Sequence, residues 1–107
     1  MWNLMPLKLF VDDLRVCPQG WVPARSVTEA IRILATMPVE EVSLDHDIAC
    51  HLVMGREHLS AETFEPVARY IALMKERPTV KIHTSNYPAG SKMAEILGIE
   101  YLWPYHE

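Results

Sequence analysis

Glycine and cysteine are both scarce in this chain of 107 residues, which holds four of the first and two of the second. With glycine only at Gly20, Gly55, Gly90 and Gly98, no glycine-rich phosphate loop can be drawn, and a nucleophile elbow and Cys-His pairing are also absent. Cys17 and Cys50 have the spacing of neither a redox motif nor a zinc knuckle, and two cysteines make no disulfide framework. They are expected to be reduced thiols in a cytoplasmic protein. No apolar run approaches the roughly 20 residues needed to cross a bilayer, so no membrane partner is expected. The apolar opening stretch contains Pro6 and Lys8, lacks a basic leader and a cleavage site, and runs into Asp12-Asp13. It reads as a buried strand rather than a signal peptide. Basic charge is short too: ten Lys and Arg against fourteen Asp and Glu give a net charge of -4. The basic residues are scattered, which argues against general duplex nucleic-acid binding, since that affinity rests on clustered phosphate neutralisation. An RNA end or a nucleotide, which needs far fewer contacts, stays open as a ligand.

What the chain does have is a 50% hydrophobic content arranged in short periodic runs, enough for a single domain over 1–107 with a modest core. Leu7 to Val11 is the first apolar run, followed by loop chemistry over 14–20 with Pro18 and Gly20. That stretch is too short for a well-formed crossover helix. Residues 21–25 are a short extended candidate, with Pro23 suiting a sheet edge. Ser26 with Glu29 has the form of a capping box, and Val27, Ala30, Ile31 and Leu34 follow on one helical face until Pro38. Strands are predicted over 41–44 and 79–82, separated by an unpatterned loop over 48–60 and a helix from about Thr63 to Pro78 with Pro66 in its first turn. A third helix starts after Asn86, carries Met93, Ile96 and Leu97, and stops at Gly98. Residues 99–103 are a last strand candidate. The alternation predicts an α/β three-layer sandwich, flavodoxin-like, on a mostly parallel sheet of about five strands, with the first crossover helix shortened or lost.

Three of the apolar runs end in polar clusters: Asp12-Asp13, Asp45-His46-Asp47, and His83-Thr84-Ser85-Asn86. In an open parallel sheet the carboxyl ends of the strands border the ligand crevice, so all three clusters can share one site. Asp12, Asp13 and Asp45 are oxygen donors suited to a hard divalent cation, Mg2+ or Mn2+. Two like charges about 4 Å apart repel by roughly 4 kcal/mol at an effective dielectric near 20, so gathered aspartates need compensation. A metal, a basic neighbour or a raised pKa can supply it, and Asp13 or Asp47 can alternatively point outward and cap a loop. His46 and His83 are strand-end imidazoles, able to transfer a proton near neutral pH, ligate a metal or serve structurally. Ser85 and Asn86 can bind phosphate oxygens at the start of the third helix, or simply cap it. His83-Thr84-Ser85 has the His-x-Ser form of two-histidine phosphoesterases without its second copy. His46-Asp47 lacks the further histidines and the all-helical setting of His-Asp phosphohydrolases.

The order of these clusters resembles the receiver domain of two-component signalling. There an acidic pair ends the first strand, a phosphoacceptor Asp the third, and a Ser or Thr the fourth, matched here by Asp12-Asp13, Asp45, and Thr84 or Ser85. The Lys that ends the fifth strand of receivers has no counterpart within Tyr101-Leu102-Trp103-Pro104-Tyr105. The extra His46, Asp47 and His83, with Pro88 and Gly90, make the chain more similar to the cyclic-phosphate processing receiver domains. That resemblance implies a metal-assisted phosphoesterase acting on an RNA 2′,3′-cyclic end or a cyclic nucleotide. Asp12, Asp13 and Asp45 would hold the ion; His83 would be general acid or base; His46 and Asp47 would ligate metal or orient water; Ser85 and Asn86 would bind phosphate. The alternative it implies is a non-enzymatic receiver-like signalling or binding module with Asp45 as phosphoacceptor.

Overall fold

Two strands open the chain and helices and strands alternate after them, and the computed structural model describes these elements over residues 5–46, 63–84 and 86–101. The elements are β1 (Leu7–Val11), β2 (Val22–Ala24), α1 (Val27–Thr36), β3 (Val39–Leu44), α2 (Glu65–Ala72), β4 (Thr79–Ile82) and α3 (Tyr87–Leu97). All strand pairs are parallel, in the order β2-β1-β3-β4. This is the flavodoxin-like order, with the chain reversing its direction of travel across the sheet between β1 and β3.

Alternate strand positions decide which face is covered. Leu9, Val11, Val42, Leu44 and Ile82 join Ala30 and Leu34 of α1, Val67, Ala68 and Ile71 of α2, and Met93, Ala94 and Leu97 of α3 in one core. Because side chains alternate in a strand, Phe10, Ser43 and Lys81 share the opposite face. The three helices therefore form one layer on one face, and among the described residues no helix covers the other. The expected three-layer arrangement is two layers over these residues, because nothing helical separates β1 from β2.

The helix ends follow their local chemistry. Ser26 Oγ accepts the Glu29 N–H at 3.1 Å and opens α1. Asn86 Oδ1 accepts the Ala89 N–H at 3.2 Å and opens α3, and Gly98, at φ 69°, closes it in the left-handed conformation. β3 begins two residues earlier than the periodicity suggested, since the Leu7 N–H donates to the Pro38 carbonyl at 2.8 Å and starts the ladder there.

Among the described residues the sheet has four strands rather than the expected five. Tyr101, expected in a fifth strand, instead lays its ring against Gly90 of α3 and donates its hydroxyl to the Thr84 carbonyl at 2.5 Å. That bond ties Tyr101 to a carbonyl two residues past the end of β4. The remainder of the expected strand lies outside the described residues. No described helix is long and apolar enough to cross a membrane.

Candidate functional site

Sheet register builds the site. Val11 stands opposite Leu44, and Leu44 opposite Ile82. The next residue on each strand is Asp12, Asp45 and His83, so the three lie side by side at the carboxyl edge. The backbone continues the ladder one step beyond the strands: Asp45 N–H donates to the Val11 carbonyl at 3.0 Å and His83 N–H to the Leu44 carbonyl at 2.9 Å. One ligand atom from each of the three side chains lies within 4.8 Å of the others.

Asp12 is 1% exposed, with a hydrogen bond at each oxygen. Its Oδ1 accepts the N–H groups of Leu14 at 2.9 Å and Arg15 at 2.8 Å, and its Oδ2 lies 2.8 Å from His83 Nε2. Burial pushes its pKa up, but the backbone donors of Arg15 and Leu14, followed by His83, outweigh it and hold the carboxyl below its usual value. An ionised carboxylate only accepts, so Nε2 of His83 carries the proton that faces it.

His83 is buried to 1% exposure, with Nδ1 2.7 Å from Ser43 Oγ and its ring stacked on Phe10 at 4.9 Å between centroids and 1° between planes. In the neutral ring Nδ1 accepts the Ser43 hydroxyl proton. The imidazole thus spans three strands, from β4 over Ser43 of β3 to Asp12 of β1, on the face opposite the helices. Both nitrogens have hydrogen-bond partners, which fixes the ring against Asp12.

Asp45 and His46 are half-buried, and the His46 N–H donates to Asp45 Oδ1 at 2.8 Å. Asp13 is half-buried and is not one of the three clustered residues. Thr84, 2% exposed, uses its Oγ1 to accept the Asn86 N–H at 3.2 Å, which spends the hydroxyl position on the turn into α3. Asn86 is exposed and caps α3. Asp47 and Ser85 lie outside the described residues, as does Cys50; Cys17 is a half-buried thiol.

Residues 7–98 match the sequence profile of the cyclic-phosphate processing receiver domain. The chain belongs to that family. No curated protein and no solved structure matches it.

Within this receiver domain, several residues around the acidic group carry no motif of their own. Arg15 Nε is 3.7 Å from Asp12 Oδ2, with 40% of the side chain exposed above a carboxylate that is almost fully buried. Arg25, just past β2, donates Nη1 to the carbonyls of Asp12 at 2.8 Å and Arg15 at 2.7 Å, bracing the turn after β1. Ser43 and Phe10 fix His83. Arg15 had a detectable signal, its position three residues after Asp12. Ser43 had a weaker one, a polar residue between two core positions. Arg25 and Phe10 act through contacts that no local pattern announces.

A divalent cation fits this donor set. Asp12 Oδ2, which takes one close hydrogen bond from His83, and the Asp45 carboxylate present hard oxygens from adjacent strands, and two gathered carboxylates gain from a positive ion between them.

Proposed function

We propose that this receiver domain is a metal-assisted phosphoesterase that opens a cyclic phosphate, at an RNA 2′,3′-cyclic end or in a cyclic nucleotide. The observation that carries the reading is the convergence of Asp12, Asp45 and His83 at one sheet edge, in a family named for cyclic-phosphate processing. Asp12 and Asp45, with Asp13 beside them, would hold Mg2+ or Mn2+. Such an ion supplies polarisation of the phosphoryl oxygens and a lowered pKa for bound water.

The chain's own residues divide the rest of the work. His83 keeps Asp12 ionised and aimed, its own tautomer set by Ser43. This reading takes the place of the general acid or base role expected for it, since both ring nitrogens have hydrogen-bond partners and the ring is 1% exposed. Proton transfer falls to His46, the half-buried imidazole next to Asp45. Asp47 orients the attacking water. Asn86, whose Oδ1 caps α3, and Ser85 would bind the phosphate oxygens. In the overall reaction one water adds to phosphorus, one ring P–O bond breaks, and the departing sugar oxygen leaves protonated.

Turnover of a 2′,3′-cyclic nucleotide, followed by chromatography with Mg2+ or Mn2+, tests this. The native chain should form a monophosphate, and Asp45→Asn should lower the rate by at least a hundredfold while its circular dichroism stays native. A folded Asp45→Asn variant with native activity removes the assignment. Labelling of Asp45 by acetyl phosphate without any turnover would instead support the signalling module.

A further inference from the structure

We infer that the amino edge of the sheet, at the opposite end from the acidic site, is a self-association face that takes a second copy of this chain across a two-fold axis. The face owes nothing to the phosphoesterase reading, and its test needs neither metal nor substrate.

A groove of about 700 Å3 opens at this edge. β3 and β4 begin there and α1 and α2 end there, because helices that join parallel strands run back against them. Half-buried Val39, Tyr70 and Met74 line it and pack against the core beneath. Arg77 fixes one wall, with Nη1 donating to the Leu97 carbonyl at 3.0 Å and Nη2 to the Ala72 carbonyl at 2.7 Å, which ties the ends of α3 and α2 together. Exposed apolar side chains gather around this frame. Met37, 41% exposed, lines the groove, while Met5 at 81% and Leu73 at 87% each adjoin a lining residue in the chain. Apolar surface collected at one place and rimmed by charge marks an interaction face.

Charge names the occupant. The rim carries Glu40 and Glu76 against Lys75 and Arg77, two of each sign and all exposed. Among the described residues, Glu40, Lys75 and Glu76 form no ion pair. A two-fold contact lays one patch on its own copy, so a residue that meets a second residue across the axis is met by it in return. A rim of one sign would repel itself there, whereas a rim with equal numbers of both signs pairs acid with base on each side. The whole chain stands at -4, so two copies repel over most approaches, and a face with balanced charge is where they meet at least cost.

Sedimentation equilibrium of the native chain tests this, beside Lys75→Glu and a variant carrying both Glu40→Lys and Glu76→Lys. The native chain should be dimeric at about 100 μM, where a dimer with a micromolar dissociation constant is well populated. Each charge variant should self-associate at least tenfold more weakly with native circular dichroism, because all three positions are exposed. Equimolar mixing of the two variants should restore dimers, since an acidic rim then meets a basic one. Leu73→Asp, which alters a side chain the fold leaves in solvent, should also be monomeric. A monomeric native chain, species larger than a dimer, dimers undiminished in the variants, or no recovery on mixing would each overturn the inference.

Discussion

Asp12 serves folding and chemistry with different oxygens. Oδ1 closes the turn after β1 through Leu14 and Arg15, and Oδ2 faces His83 and the acidic group. Its depressed pKa makes a signed prediction. A carboxyl whose folded pKa lies below the unfolded value of about 3.9 contributes stability that is present above pH 4 and is lost as pH falls through the lower folded value. Asp12→Asn should therefore be less stable than the native chain in urea at pH 7, with the gap closing as pH falls below about 4. A gap that does not change with pH would refute the assignment. At this scale Asp12, Asp45 and His83 were legible because each follows an apolar run directly. The work done by His83 was not, because its partners Asp12 and Ser43 lie 71 and 40 residues away.

Caps and breakers made the helices legible: Ser26 and Glu29 for α1, Asn86 and Gly98 for α3. Even so, Glu29 departs from the reciprocal capping box by taking the Arg25 N–H rather than that of Ser26. The seat of Tyr101 on α3, where a fifth strand was expected, was illegible for a physical reason. An alternating segment such as Ile99-Glu100-Tyr101 suits a strand or a seat on a helix equally, and what decides is the space left by the absent side chain of Gly90. A Cβ there would stand 2.5–2.8 Å from the Tyr101 ring. Gly90→Ala gains about 1 kcal/mol of helix propensity but displaces the ring and its bond to Thr84, at a cost of roughly 1–3 kcal/mol. The expected net effect in urea unfolding is a loss of about 1 kcal/mol, turning into a gain when the same change is made in Tyr101→Ala. Stabilisation by Gly90→Ala in the native background would show that the ring does not sit there.

For the molecule as a whole, strand order places the site. With β1 and β3 adjacent in the middle of the sheet and β4 beside them, three strand ends that are distant in sequence become neighbours in space. The βα alternation made this arrangement readable, since parallel strands with short connections allow few topologies. The layer count was not readable, because it depends on which face each crossover takes. Cation binding by this edge should stabilise the entire fold. A ligand at 100 times its dissociation constant adds about 2.7 kcal/mol, which for a domain of this size raises Tm by roughly 10 °C. Mn2+ should produce such a shift in the native chain and little in Asp45→Asn; equal shifts in both would place the cation elsewhere. The most direct measurement is phosphorus NMR of the native chain with a 2′,3′-cyclic nucleotide and Mn2+ in water enriched in 18O. The expected result is a monophosphate whose phosphorus signal carries the isotope shift of one 18O, with none formed by Asp45→Asn. An unchanged cyclic phosphate signal, or equal conversion by both proteins, would contradict the phosphoesterase.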